Sequence, residues 1–179
     1  HEHIILRNLS HVEHRPKYDT WAAFAKAFHL DESQPLKKTS GIHQFTPLCY
    51  AVLSNNLPVV RHLIVCKANV NDTLGEAVTT NYHEYTPMHI IMKVGHGEPG
   101  KAIFNLLVES KADPYQYSYG GGRFLKPRYR DPLTVGFFSS NAEMSLHYMN
   151  HVKPNFFAIT DHFGGKNEML PAANGQYSV

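Results

Sequence analysis

Two short apolar runs, separated by a polar turn, give the clearest pattern in the chain, between residues 44 and 71. Thr46 followed by Pro47 predicts a helix start, because threonine caps the first turn and proline loses no hydrogen bond at the first helical position. Asn55–Asn56 interrupts this helix, and Pro58 begins a second one. Apolar residues recur at helical spacing in both helices: Leu48, Ala51 and Val52, then Val59, Val60, Leu63 and Ile64. The segment predicts a helix–turn–helix unit.

The same pattern recurs twice further along the chain. Thr86-Pro87 opens a second unit, which continues with Ile103, Phe104, Leu107 and Val108. Asp131-Pro132 opens a weaker third unit, which continues with Asn141, Met144, Tyr148 and Met149. Pro47, Pro87 and Pro132 are successively 40 and 45 residues apart. A minimal repeat of this kind needs about 33 residues, so we expect the surplus to lie in loops.

The first unit resembles an ankyrin repeat without a gap. Thr46-Pro47-Leu48 stands at the family's Thr-Pro-Leu-His, with Cys49 in place of the histidine, and Ala68 to Asn71 matches its closing Ala-Asp-Val-Asn. Asn55 and Lys67 stand where the family prefers glycine. A left-handed turn at Lys67 carries a backbone penalty of about 1 kcal/mol. The resemblance implies an all-α ankyrin-repeat solenoid with extended hairpin or finger loops and atypical terminal caps.

The resemblance divides the chain into a single ankyrin-repeat domain over residues 1–179. Its predicted parts are an N-terminal cap (1–43), repeat 1 (44–71), repeat 2 (85–115), repeat 3 (131–155) and a C-terminal cap or partial repeat 4 (156–179). A helix from Trp21 to His29, capped by Asp19 or Thr20, is predicted within the N-terminal cap. The chain begins at His1 without a methionine, so we expect it to be a fragment or a processed form.

Three insertions separate the predicted helices. Residues 72–85 predict an extended hairpin because they are rich in β-branched residues. The Gly95–Gly100 stretch predicts an inserted turn, and it lacks the strand and the Gly-Lys-Ser/Thr sequence of a phosphate-binding loop. Residues 115–130 combine tyrosines with four cations and no acidic residue, around a triple glycine that predicts a hairpin tip or a flexible hinge. This last loop has three interpretations: structural packing, protein binding, or binding of RNA or another anion.

Charge and cysteine content exclude few functions and cellular locations. The net charge is +2, so no global attraction to nucleic acid or membranes is expected, and no apolar run reaches the length of about 20 residues that spans a bilayer. Cys49 and Cys66 fall at core-type positions of one unit. Reduced thiols in such positions favour a reducing compartment, and we expect a cytoplasmic protein.

The sequence contains few residues in patterns typical of catalysis. Cys49 stands where the family keeps a buried histidine, which is unlike the polar, accessible setting that a nucleophilic thiolate needs. His89 occupies the equivalent position in the second unit, so both residues are interpreted as structural. The spacing of His11 and His14 would place both imidazoles on one helical face, but no further ligand completes a tetrahedral metal site nearby. We therefore expect no catalytic residue, no cofactor and no metal, and predict that the chain is not an enzyme.

Through the resemblance, the predicted function is recognition of a partner protein by a monomeric array, across the concave groove and the long finger loops. The candidate partner-binding residues are Phe45, Tyr50, Tyr82, Tyr85, Ile90, Lys93, Tyr117, Tyr119, Arg123, Phe124, Arg128, Tyr129, Arg130 and Phe138. The alternatives are the substrate-targeting domain of a larger enzyme, and RNA or anion binding through residues 115–130.

Two further expectations follow from the same family. The irregular units with long fingers resemble ankyrin proteins that intracellular bacteria secrete into host cells, which implies an effector located in the host cytosol. Asn71 stands at the finger asparagine that an asparaginyl hydroxylase modifies in some ankyrin proteins, although Asn69 replaces the acidic residue which that enzyme prefers.

Overall fold

The computed structural model describes residues 17–38, 46–73, 84–120 and 128–152. Within these ranges lie seven helices and one short antiparallel ribbon. The helices are α1 (Trp21–Ala27), α2 (Pro47–Leu53), α3 (Leu57–Val65), α4 (Pro87–Val94), α5 (Gly97–Glu109), α6 (Pro132–Phe138) and α7 (Ala142–His151), and the ribbon consists of β1 (Ser118–Gly120) and β2 (Arg128–Arg130). The predicted all-α class is confirmed, and β1 and β2 form the base of the hairpin predicted within residues 115–130.

The helices form two rows that pack against each other. α2, α4 and α6 lie side by side in the first row, while α1, α3, α5 and α7 form the second row. Each unit contributes one helix to each row, so every unit buries its apolar face against its neighbours. The core between the rows is built from fully buried residues, including Phe24, Leu48, Leu63, Ile91, Phe104 and Tyr148. α1 packs on α3, while the assignment of residues 1–43 as an N-terminal cap stays a prediction.

The predicted helix starts of the first row are confirmed. The side-chain oxygens of Thr46, Thr86 and Asp131 accept hydrogen bonds from backbone N–H groups three residues later, at 3.1, 3.4 and 2.7 Å. A proline follows each cap at the first helical position, where its missing N–H is not needed. Thr20 caps α1 in the same way, with a bond of 3.2 Å from the Ala23 N–H. Local chemistry alone therefore sets these boundaries.

Five helices end at a residue with left-handed backbone geometry, and none of these five residues is glycine. They are His29, Asn55, Lys67, Lys111 and Ser140, with φ angles between 54° and 69°. In each case the next residue's N–H bonds to a carbonyl five positions back, as Ala68 bonds to Leu63 at 3.0 Å and Ala112 to Leu107 at 2.9 Å. This arrangement satisfies the last carbonyls of the helix. It confirms the left-handed turn predicted at Lys67.

Replacing Lys67 or Lys111 with glycine is expected to raise the free energy of unfolding by about 1 kcal/mol each, because glycine adopts a positive φ without a steric penalty. Chemical denaturation of the two variants measures the effect. Lys26→Gly is the control, since this exposed lysine lies within α1, where glycine is expected to cost about 1 kcal/mol. Destabilisation by Lys67→Gly and Lys111→Gly would contradict the prediction.

The predicted turn at Gly95–Gly100 is wrong, because α5 already begins at Gly97. The glycines allow close packing at the junction of α4 and α5: a Cβ at Gly100 would lie 3.0 Å from the backbone carbon of Gly95. The N–H of Gly97, in the first turn of α5, donates to the Glu143 Oε2 at 3.1 Å. The carboxylate of α7 therefore occupies the position that an anion would take at this helix start.

Several side chains that cross from one unit to the next bond to main-chain oxygens. The amide of Asn55 donates to the His96 carbonyl at 3.1 Å, and the Tyr148 hydroxyl donates to the Pro114 carbonyl at 2.8 Å. The Asn141 amide donates to two carbonyls of the preceding unit, at 3.1 and 2.9 Å. Such bonds supplement the apolar contact between neighbouring units.

The remaining expectations for this chain concern residues outside the described ranges. They include His11 and His14, most of the predicted hairpin over residues 72–85, the tip of the hairpin over residues 115–130, and the predicted C-terminal cap at 156–179.

Candidate functional site

Three candidate partner-binding residues in or next to the first helix row are buried, and their role in partner binding stays a prediction. Tyr50 is 3%, Tyr85 5% and Ile90 0% exposed. The Tyr50 ring contacts Phe28 with centroids 5.5 Å apart, and the Tyr85 ring stacks on His89 at 5.2 Å. These rings stabilise the helix stack, because burying a large aromatic surface is more favourable in free energy than exposing it in a groove.

The structure does not describe the side chains of seven other candidates. Phe45, Tyr82, Arg123 and Phe124 lie outside the described residues. Tyr119, Arg128 and Tyr129 belong to the ribbon, where Tyr119 pairs with Tyr129 and Gly120 pairs with Arg128. For these seven, the role in partner binding stays a prediction.

Three of the remaining candidates lie on or beside α4 and α6. Lys93, Arg130 and Phe138 form a surface that we call the groove patch. The Arg130 guanidinium carbon lies 4.3 Å from the centroid of the Phe138 ring, and that phenylalanine is 51% exposed. The Lys93 Nζ lies 5.9 Å from the centroid of the buried Tyr85 ring. Tyr117, the fourth candidate, is 43% exposed beside the start of β1.

The groove patch holds two cations close enough to influence each other. The pKa of Lys93 is lowered, mainly because its ammonium is half-buried and also because of the positive charge of Arg130. Burial raises the pKa of the Tyr85 hydroxyl, and Arg130 partly opposes this shift. Both effects disfavour the protonated form of Lys93.

His89 forms a hydrogen bond with the backbone of Arg130 in the patch, a role that its sequence position alone did not indicate. The Thr86 N–H donates to the His89 Nδ1 at 3.2 Å, so the ring proton resides on Nε2, which donates to the Arg130 carbonyl at 3.0 Å. Complete burial lowers the pKa of His89 to about 4, and the imidazole is neutral at pH 7. The Ser118 hydroxyl donates to the same carbonyl at 3.1 Å. The backbone of Arg130 is therefore fixed from two sides.

Residues 43–73 match the family model for the ankyrin repeat. This segment is similar to an ankyrin repeat. The two rows of helices are consistent with an all-α ankyrin-repeat fold, in which each repeat contacts only its neighbours and the stack presents an extended surface. Ankyrin repeats generally act as protein–protein interaction modules. A comparison with curated proteins found no match to the chain.

Cys49 takes the place of the ankyrin repeat's buried histidine. Its side chain is fully buried, and burial raises the pKa of the thiol to about 12, so the thiolate needed for nucleophilic attack is not formed near neutral pH. Cys66 is only half-buried, which corrects its predicted core position, and its sulfur lies 3.5 Å from the His62 Nε2. Both cysteines are free thiols.

Within the described ranges, no group of three or more histidine, cysteine, aspartate or glutamate side chains is arranged to hold a metal ion. None of the helices placed there combines the length and the apolar character required to cross a bilayer.

Asn71, in the closing turn of the matched ankyrin repeat, connects it to the next unit. Its amide donates to the Lys111 carbonyl at 3.1 Å, and its side-chain oxygen accepts a bond of 2.7 Å from the Asp113 N–H. The Asn69 side chain in turn accepts from the Asn71 N–H at 3.0 Å. This residue therefore has a structural role between units, while its hydroxylation stays a prediction.

Asn71→Ala is expected to lower the free energy of unfolding by about 1 to 2 kcal/mol, because two bonds to the next unit are lost together. Thermal or urea denaturation gives the measurement. Asn150→Ala, at an exposed position of α7, is the control and is expected to change stability by less than about 0.5 kcal/mol. Equal effects of the two substitutions would show that the bridge does not contribute.

Proposed function

We propose that the chain is a non-catalytic recognition module that binds a partner protein through the groove patch and the adjoining base of the hairpin. The observation that carries this proposal is the convergence of Lys93, Arg130 and Phe138 on one surface of an ankyrin-repeat stack. Much of the rest of the first row is buried, including every residue of α2. Among the described residues of that row, Phe138 of the groove patch and its neighbour Phe137 are large side chains that remain half exposed.

The residue types of the patch suit a protein partner. Arginine and aromatic side chains are enriched among the residues that dominate protein interfaces, because they bury a large area while retaining directed hydrogen bonds. Phe138 is half exposed and Tyr117 is 43% exposed, so both have apolar surface left to bury. Their common helix-and-ribbon support limits the conformational entropy lost on binding.

Site-specific photo-crosslinking tests this proposal. A photoreactive phenylalanine analogue at position 138 is expected to capture one or a few proteins from a cell lysate. The same analogue at Arg61, an exposed position in the second helix row, is the control. The proposal is wrong if the two positions give the same products, or if position 138 captures nucleic acid and no protein.

RNA or anion binding through residues 115–130 is the competing function, supported by the tyrosines and cations of that loop. It predicts affinity that falls steeply with salt and disappears in the double variant Arg123→Ala, Arg128→Ala. Electrophoretic mobility shifts with a single-stranded RNA at two salt concentrations distinguish it from protein binding.

The broader biological setting is proposed from the family resemblance alone. An effector acting in a host cytosol and a targeting domain of a larger enzyme both remain compatible with a recognition module. The full-length reading frame discriminates between them, because an attached catalytic domain favours the second and a secretion signal without such a domain favours the first.

A further inference from the structure

We propose that His147 and His151 form a surface site for a zinc ion, or for another divalent transition-metal ion that prefers imidazole ligands, with water completing the coordination. The two histidines lie on α7, in the second helix row, whereas the groove patch belongs to the first row. The site therefore goes beyond the proposed recognition function and does not depend on it.

The spacing of the two histidines is the first argument. They are four positions apart on α7, so one turn of the helix brings both side chains onto the same face. Their ring centroids are 4.0 Å apart, and the ring planes are tilted by 34°. Two nitrogens bound to one tetrahedral zinc ion, at about 2.0 Å each, are separated by about 3.3 Å. Rings whose centres are this close are within range of such a separation.

The hydrogen bonds of the two rings are the second argument, because they determine which nitrogen carries the proton. The His147 Nε2 lies 2.8 Å from the Asn105 Oδ1, and the His151 Nδ1 lies 2.8 Å from the His147 carbonyl oxygen. Both oxygens can only accept, so these two nitrogens donate. The lone pairs therefore reside on the His147 Nδ1 and the His151 Nε2. Among the described residues, neither of these two atoms has a hydrogen-bond partner.

The support of the two rings is the third argument. A metal-binding imidazole usually donates its other N–H to a carbonyl or carboxylate oxygen, which fixes the tautomer and the orientation of the ring. Here the Asn105 side chain of α5 orients His147, and a backbone carbonyl of α7 orients His151. The Phe104 ring also meets the His147 ring edge-on, with centroids 5.1 Å apart. The rings are thus oriented before a metal ion arrives, which limits the entropy lost on binding.

The charge around the pair is compatible with a cation. The ammonium of Lys101 acts on His147, but it forms ion pairs with Glu98 at 3.1 Å and with Glu143 at 3.3 Å. Two carboxylates and one ammonium together carry one net negative charge. The pKa of His147 is lowered, mainly because it is partly buried and also because of the charges of His151 and Lys101. Its imidazole is therefore neutral at pH 7, as a metal ligand must be.

The number of ligands defines the kind of site. Within the described ranges, no third histidine, cysteine or carboxylate is arranged to complete the group. A structural zinc ion has four protein ligands, so we expect this site to bind zinc more weakly and to leave two positions to water. Imidazole nitrogen favours zinc, copper and nickel, whereas magnesium and calcium prefer oxygen ligands.

Titration of the full chain with zinc chloride, followed by NMR of the histidine ring nitrogens, tests the inference. His151→Ala is the main variant, because His151 is exposed and its described contacts lie within α7. His147→Gln is the second variant, and a circular dichroism melt establishes that it is folded. His62→Ala is the matched control, since His62 is an exposed histidine on α3 and lies beside the Cys66 sulfur. Magnesium chloride is the parallel probe for non-specific binding of cations.

Zinc is expected to shift the Nδ1 signal of His147 and the Nε2 signal of His151, and magnesium is expected to shift neither. The zinc affinity of this site is expected to fall about tenfold or more in His151→Ala and in His147→Gln, since even the loss of an orienting partner costs about 10- to 100-fold. His62→Ala is expected to change it by less than about twofold.

Three results would overturn the inference. Unchanged signals of His147 and His151 in excess zinc would contradict the site, and so would equal zinc affinities of wild type and His151→Ala. Loss of binding in His62→Ala alone would place the metal ion at His62 and Cys66. None of these results bears on recognition of a partner by the first helix row, so the two proposals can fail independently.

Discussion

His89→Ala is expected to lower the free energy of unfolding at pH 7 by about 3 kcal/mol, because two buried hydrogen bonds and the packing of the ring are lost together. The Thr86 N–H loses its acceptor and the Arg130 carbonyl loses one of its donors. His89→Gln is the informative comparison. A glutamine at this third helical position can still accept from the cap residue's N–H, so this variant is expected to lose only about 1 to 2 kcal/mol.

The lowered pKa of His89 makes the stability of the chain depend on pH. The pKa of His89 is about 4 in the folded chain, against an ordinary value of 6.5, so the unfolded chain binds more protons between these values. Its contribution to stability is therefore present above pH 6.5 and is lost as the pH falls. Linkage gives a loss of about 2 kcal/mol by pH 5 and about 3 kcal/mol by pH 4.

The pH effect is measured by urea denaturation of wild type and His89→Gln between pH 7 and pH 4. Burial raises the pKa of Asp131, which acts in the opposite direction, and lowers the pKa of His147, which acts in the same direction. The difference between the two chains removes both contributions. We expect it to shrink on acidification and to change sign by about pH 4.5, given the magnitudes above. A difference independent of pH would show that His89 is not held neutral by burial.

Phe104→Ala is expected to cost about 3 to 5 kcal/mol, the range found when a large buried aromatic side chain is truncated. Phe104 is 0% exposed in α5, and its ring meets the rings of His147 and Tyr148 edge-on, with centroids 5.1 and 5.8 Å apart. The substitution therefore opens a cavity at the junction of α5 and α7. Because a domain is stable by only about 5 to 15 kcal/mol, a large part of the population is expected to unfold on mild heating.

Phe137→Ala provides the matched control for Phe104, since Phe137 is 50% exposed on α6. It is expected to change the free energy of unfolding by less than about 1 kcal/mol. Phe104→Leu, which leaves a smaller cavity, is expected to fall between the two alanine variants. Similar unfolding midpoints for Phe104→Ala and Phe137→Ala would contradict the position of Phe104 at the centre of the stack.

The parts of the fold that depend on neighbouring residues were predictable from the sequence. A cap residue followed by proline specifies a helix start within four residues, and Thr46, Thr86 and Asp131 act as predicted. The left-handed turn at Lys67 was also predictable, because the family keeps a glycine there. Each of these features is determined by backbone geometry over a single turn.

The parts that depend on distant residues were not predictable. Gly97 opens α5, and its N–H bonds to Glu143, 46 positions later. The burial of Tyr50 and Ile90 depends on which elements cover the first row, and a local apolar pattern does not distinguish a groove-facing side chain from a core one. Lys93, Arg130 and Phe138 were each identified as candidates. Their proximity depends on the ribbon, which places the Arg130 carbonyl within hydrogen-bond distance of His89.

The bonds that Asn55, Asn71, His89, Asn141 and Tyr148 make to main-chain groups have an evolutionary consequence. A backbone carbonyl is present whatever amino acid occupies the position, so the receiving unit can change its side chains without breaking the bond. A substitution in the receiving unit therefore leaves in place the hydrogen bond that joins it to its neighbour. Loops can therefore lengthen and surface residues can change in one unit without breaking these bonds, which is compatible with spacings of 40 and 45 residues in one stack.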